Sequence, residues 1–142
     1  MPKYFVDTNI FLRTLVPENK KSLIECKNFL SKIKNNQIDA VTSNLVLTEI
    51  VWTLLSYYKF PKRDVIAAVR SVLNLSGLKI VDGYNTTQAL IFYENKTVKF
   101  IDCLISSIPE IKNKEWFVVS YDEDFDRLGV LRKDPGEVIL KN

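Results

Sequence analysis

The sequence predicts an α/β fold, a three-layer α/β/α sandwich built on a parallel sheet of four or five strands. Short β-prone runs alternate with longer stretches of helical periodicity, the order that generates strand–helix–strand units with helices on both faces of a sheet. No internal repeat, low-complexity tract or linker interrupts the alternation. A chain of 142 residues suits one hydrophobic core, whereas two would each be marginal. Residues 1–142 are therefore expected to form a single domain.

Tyr4-Phe5-Val6 forms the first expected strand and ends at Asp7. Residues 10–15 have helical spacing until Pro17 stops it. Between residues 20 and 34, apolar side chains fall at Leu23, Cys26, Phe29, Leu30 and Ile33, the stripe of an amphipathic helix. Ala40-Val41-Thr42 is a second brief strand, and Ser43 or Asn44 can cap the helix that follows to about Tyr58. Pro61 and Asp64 mark the start of another helix, which runs to about Leu75 and is closed by Gly77. Residues 78–81 read as a third strand, residues 86–93 and 99–108 as helices, the second stopped by Pro109. Residues 116–120 are the strongest strand signal, and residues 138–140 a last short strand. In such sheets, sites lie beyond the carboxyl ends of strands, where strand order reverses.

Histidine is absent. A Ser-His-Asp triad, a Cys-His pair and a histidine-ligated zinc site are thereby excluded, so acid–base or metal chemistry falls to carboxylates, lysine, tyrosine or water. The net charge of +3 permits contact with a polyanion without demanding it. Cys26 and Cys103 are widely spaced among apolar residues and read as buried thiols of a reducing compartment. The N-terminus lacks the layout of a signal peptide. The longest apolar stretch, residues 45–58, contains Glu49 and falls short of the ~20 residues needed to span a bilayer. A cytoplasmic protein with no membrane segment is the expectation.

The informative feature is a set of solitary acids. Asp7 is the only charge from Tyr4 to Leu12, Glu49 the only one from Ala40 to Tyr58, and Asp102 the only one from Phe100 to Pro109. An ionised carboxylate in apolar surroundings costs several kcal/mol unless it is paired or bound to metal. Taken singly, each also fits an ordinary role: Asp7 a turn or N-cap residue, Glu49 an acid at the exposed edge of its helix, Asp102 a first-turn acid. A fourth acid follows the strongest strand in Ser120-Tyr121-Asp122-Glu123-Asp124-Phe125; Asp122 lies nearest the strand end, with Asp124 as the alternative. Two strand-end acids and two helix acids can converge above one sheet edge, and a hard divalent cation makes such a cluster tolerable.

Val6-Asp7-Thr8-Asn9-Ile10, Thr48-Glu49-Ile50, Ile101-Asp102-Cys103-Leu104-Ile105 and the Ser120–Phe125 run occur in an order that resembles PIN-domain ribonucleases. Length and coverage resemble the stand-alone VapC-type toxins of toxin–antitoxin pairs. The resemblance implies a PIN-like fold and an Mg²⁺- or Mn²⁺-dependent endoribonuclease, with Asp7, Glu49, Asp102 and Asp122 as its catalytic, metal-holding quartet. Asp7 and Asp102 would ligate directly, Glu49 through water, and Asp122 would complete a second position. Thr8, Asn9 and Ser120 would support the site, with Ser120 standing where threonine is more usual. Arg13, Arg127, Arg132 and Lys133 are candidates for gripping RNA phosphates. The aromatics Trp52, Tyr57, Tyr58 and Phe60 could form a homodimer face or a groove for a small antitoxin protein.

Two other aspartate-based folds compete less well. A haloacid-dehalogenase-type phosphatase needs a second aspartate at the place held by Asn9, and a receiver domain needs an acidic pair after the first strand. A PIN-like scaffold module, or an RNA-processing nuclease without an antitoxin, is the alternative closest to the favoured reading.

Overall fold

The computed structural model describes residues 2–140; Met1, Lys141 and Asn142, part of the expected 1–142 span, lie outside the described residues. Strands β1 (Lys3–Val6), β2 (Asp39–Thr42), β3 (Leu78–Ile80), β4 (Trp116–Val119) and β5 (Arg132–Lys133) make one sheet in the order β3-β2-β1-β4-β5. Every pairing is parallel. Helices flank this sheet, giving the expected three-layer α/β/α arrangement. From β1 the chain steps outward through β2 and β3, then returns to the other side of β1 for β4 and β5. Strand order thus reverses between β1 and β4, which end together at Val6 and Val119.

Strands β1, β2 and β5 each hand the chain to a helix across a single residue. Asp7 joins β1 to α1 (Thr8–Leu15), which is followed by α2 (Lys20–Lys34). Ser43 joins β2 to α3 (Asn44–Trp52) and accepts the Val46 N–H at 3.4 Å, so Ser43 is the cap. Residues Thr53–Tyr57 continue α3 as a π-helical turn, and Phe60 and Pro61 lead to α4 (Lys62–Leu73). Beyond β3 come α5 (Thr86–Asn95), α6 (Phe100–Ser106) and α7 (Pro109–Lys112); α8 (Asp124–Arg127) lies between β4 and β5, and α9 (Pro135–Leu140) follows β5. Gly77 has φ +88°, and an added Cβ would run into the Ile33 carbonyl, so glycine is required at that turn.

Phe5, Val6, Val118 and Val119 are fully buried, as expected for central parallel strands covered on both faces. Ile10, Phe29, Ile50, Leu54 and Ile105 close over them from the helices. A smaller apolar cluster of Ala89, Val98, Cys103 and Leu128 packs beside the main core. Helix α6 is pinned by both, through Ile105 and Cys103. Both cysteines are free and buried. No helix among the described residues is long and apolar enough to cross a membrane.

The C-terminal segment differs from expectation. Residues 138–140 are helical, within α9, and the fifth strand is the charged pair Arg132–Lys133. Local chemistry overrides the β propensity of Val138-Ile139-Leu140: Pro135 starts the helix with φ already suited to it, and the Glu137 carboxylate reaches back to the Asp134 N–H at 3.0 Å. Two further short helices, α7 beginning at Pro109 and α8 at Asp124, were not among the expected elements. Val138 is completely buried while Leu140 is 87% exposed, a pattern one strand face cannot produce. Val138→Ala is therefore expected to cost about 1–3 kcal/mol and Leu140→Ala less than about 0.5 kcal/mol. Urea unfolding at unchanged m-value measures both; equal losses would point back to a strand.

Candidate metal centre

The three solitary acids and Asp122 lie around the strand-order reversal. Asp7 closes β1, its N–H donating to the Val119 carbonyl at 3.1 Å, and its side chain is buried. Asp122 follows β4 by three residues. Glu49 sits half-buried on α3, and Asp102 is 2% exposed in the first turn of α6. Oxygens of Asp102, Asp122 and Asp124 lie within 4.8 Å of one another. Asp7 and Glu49 line an adjoining hollow of about 160 Å³ with Thr8, Asn9, Thr53 and Lys99. Asp122 and Asp124, the alternatives for the fourth acid, thus belong to one cluster.

A hydrogen-bond frame aims these carboxylates. Ser120 Oγ donates to Asp7 Oδ2 at 2.6 Å, while Asn9 Nδ2 donates to Ser120 Oγ at 3.0 Å and to Asp7 Oδ2 at 3.3 Å. Ser120 Oγ also accepts the Asp122 N–H at 3.0 Å, and Asn9 Oδ1 accepts the Tyr121 N–H at 3.3 Å. One hydroxyl therefore ties the ends of β1 and β4 together. Thr8 Oγ1 donates to Glu49 Oε1, linking α1 to α3. Asp122 Oδ1 accepts the Asp124 N–H at 2.9 Å. Asn9, at the place where a phosphatase of the dehalogenase type requires an acid, is occupied in orienting Asp7 and Ser120.

Burial pushes the Asp7 carboxyl up to about 6, against the hydrogen bonds from Ser120 and the Thr8 N–H and with the help of the Glu49 charge. Burial also dominates at Asp102, raised to about 9, with Asp7 the strongest repelling charge and Lys99 opposing the rise. Asp122, largely buried, meets the opposite influences. Its desolvation is outweighed by hydrogen bonds from the Asp124 N–H, Lys99 and Asp102, which hold it below the usual carboxylate range. The shared proton of this coupled pair thus rests on Asp102.

Lys99 was not among the residues singled out by sequence. Its Nζ lies 3.0 Å from Asp122 Oδ2 and 3.8 Å from Asp102 Oδ2. Burial disfavours its ammonium, but Asp122, Asp102 and Glu49 together keep its pKa above the ordinary lysine value. A signal was present: Lys99 is the N-cap residue of α6 and makes no side-chain cap, although Ser, Thr, Asp and Asn are preferred there and a cation opposes the helix dipole. Thr53 of the π-helical turn also went unremarked.

The other candidates lie outside the acid cluster. Arg13 pairs with Glu18 at 3.3 Å and covers the Tyr121 ring, lining a separate polar hollow of about 390 Å³. Arg127 pairs with Asp124 at 3.5 Å and is largely exposed. Arg132 is held by Asp126 at 3.0 Å and Asp134 at 2.7 Å, and its Nη1 donates to the Ser120 carbonyl, so it braces the site loop. Lys133 stacks over Phe117. Trp52 and Tyr57 are exposed, whereas Tyr58 and Phe60 pack partly against the core.

The residues present fit a hard divalent cation. The acids of the cluster offer carboxylate oxygens, the ligand type such ions prefer. Asp102 Oδ2 is buried and accepts no hydrogen bond, the state of a ligand atom waiting for a cation.

Comparisons with known proteins bear on the family and fold. The family model for the PIN domain matches residues 4–131. No curated protein sequence matches the chain. Among solved structures, the chain is similar to VapBC2 from Rickettsia felis bound to a promoter DNA fragment, at 18% identity and TM-score 0.66, covering 93% of this chain and 98% of that one. It is similar to FitAcB from Neisseria gonorrhoeae at 17% identity and TM-score 0.66, covering 93% and 97%. It is also similar to Mycobacterium tuberculosis VapC20, a sarcin-ricin loop cleaving toxin, at 20% identity and TM-score 0.60, covering 90% and 96%. At these identities the structural matches establish the fold, and the family match spans nearly all of the sequence. The chain belongs to the PIN domain family.

Proposed function

We propose that this chain is a single-domain, metal-dependent endoribonuclease, the toxin of a toxin–antitoxin pair. The observation that carries the reading is the convergence of Asp7, Glu49, Asp102 and Asp122 at the strand-order reversal, with a buried Asp102 oxygen that lacks a hydrogen bond. The VapBC and VapC20 likenesses support it. Asp7 and Asp102 are assigned as direct ligands of Mg²⁺ or Mn²⁺, Glu49 as an outer carboxylate that orients water, and Asp122 with Asp124 as the remaining acids. When bound, such an ion lowers the pKa of a coordinated water and neutralises charge on the scissile phosphate, which supplies a nucleophile without histidine.

The chain's own residues do the positioning. Ser120 and Asn9 fix Asp7, and the Thr8 hydroxyl fixes Glu49, so ligands are pre-aimed before a cation arrives. Arg127 and Arg13, at the margins of the acid cluster, are assigned to RNA phosphates, which the acids themselves repel. For protein partners, an apolar groove of about 520 Å³ between the α3 stretch and α4 is lined by Val51, Leu55, Ile66 and Leu73, and Trp52 and Tyr57 of the same stretch are exposed. Exposed apolar surface of this kind marks interaction sites. It is assigned to an antitoxin or to a second copy in a homodimer.

Purified protein with Mg²⁺ is expected to cleave RNA, and Asp7→Asn to lower the rate about 100-fold or more. A wild-type protein that binds RNA but never cleaves it would favour the scaffold reading instead.

A pH dependence follows from Asp7 near 6 and Asp102 near 9. Both must ionise to hold a cation, so metal affinity and cleavage rise with pH through that window. Stability without metal runs the other way. Folded Asp102 keeps its proton above 3.8, where the unfolded chain has lost it, so stability falls as pH rises from about 4 to about 9. Asp102→Asn is expected to remove much of that fall and to raise stability in chelator by about 1–2 kcal/mol at pH 8. Denaturant melts of both proteins across pH provide the check.

A further inference from the structure

We infer that the Lys99 ammonium is a built-in counter-cation of the acid cluster, which holds the carboxylates together without metal and withdraws when a divalent ion binds. The inference rests on the metal-site reading and adds a competitor to it. Lys99 is common to both parts of the site: it lies against Asp102 and Asp122 on one side and lines the hollow of Asp7 and Glu49 on the other. The groups facing its Nζ are these four acids, drawn from β1, α3, α6 and the loop after β4. No other cation among the described residues is placed against Asp102, whose Oδ2 lacks a hydrogen bond.

The local backbone gives lysine no reason of its own to be there. Position 99 is a helix N-cap, which favours a short oxygen-bearing side chain, and the positive charge stands at the positive end of the helix dipole. The i,i+3 spacing brings Lys99 alongside Asp102, and the carboxylates hold it in place. Its side chain is still 59% exposed along a flexible stem, so it can leave for solvent without disturbing α6. Metal and ammonium want the same oxygens. Each must therefore weaken the other's hold by the same factor.

The test is calorimetric titration of Mn²⁺ into chelator-stripped wild type, Lys99→Met and Lys99→Arg at one pH and salt concentration. Lys99→Met is expected to bind Mn²⁺ about tenfold more tightly than wild type, and Lys99→Arg, which keeps the charge, to stay within about threefold. In chelator, Lys99→Met should melt about 3 °C lower, and saturating Mn²⁺ should erase that deficit. Should Lys99→Met fail to fold, Lys99→Gln replaces it with the same expectations. Equal or weaker Mn²⁺ binding by the neutral variant, with wild type binding normally, overturns the counter-cation and leaves the metal site standing. Absence of Mn²⁺ binding in both proteins overturns the two readings together.

Discussion

Asp7 and Asp102 are almost removed from water, 4% and 2% exposed, and the Asp7 charge makes ionisation of Asp102 harder. That repulsion is the constraint around which the centre of the molecule is arranged. A carboxylate buried without compensation costs several kcal/mol. Here compensation comes in three forms: hydrogen bonds at Asp7, a retained proton at Asp102, and the ammonium of Lys99 between the acids. The arrangement lowers the penalty without abolishing it.

The scaffold brings the acids together by an economical route. A parallel sheet whose order reverses at its centre leaves a crevice where adjacent strands send their chains to opposite faces. Asp7 and Ser120 come from the two strands that flank it. The helices then add acids that the strands do not carry, with α3 held through the Thr8–Glu49 contact and α6 through Cys103 and Ile105. Rigidity follows from burial: Ser120 and Thr8 are 0% and 4% exposed, so the donors that orient Asp7 and Glu49 have little freedom to wander.

Charge is segregated within the molecule. Arg132 is absorbed into bracing the loop after β4, while Arg13 and Arg127 stay near the rim. Arg13 pairs with Glu18 and Arg127 with Asp124, so each of these positive charges is matched to an acid. The apolar groove between α3 and α4 shares helix α3 with Glu49.

Much of this was legible from the sequence alone. Lone acids in apolar runs stand out without coordinates, because burial of their neighbours is written in residue type, and strand–helix alternation limits the topology to a parallel sheet. Asp7, Glu49, Asp102 and the acids after Ser120 were located by that reasoning, and their order along the chain carried the family resemblance. The β5 pair Arg132–Lys133 was hidden because a two-residue edge strand is defined by backbone partners, not by its side chains. Val138-Ile139-Leu140 misled because β propensity is overruled by the Pro135 and Glu137 helix start and by packing of Val138 in the core. Only the tertiary structure decided that Lys99 belongs among the acids. Three of the four carboxylates facing it come from residues distant in sequence, and a charge's partners are set by distance in space, which a linear spacing cannot reveal.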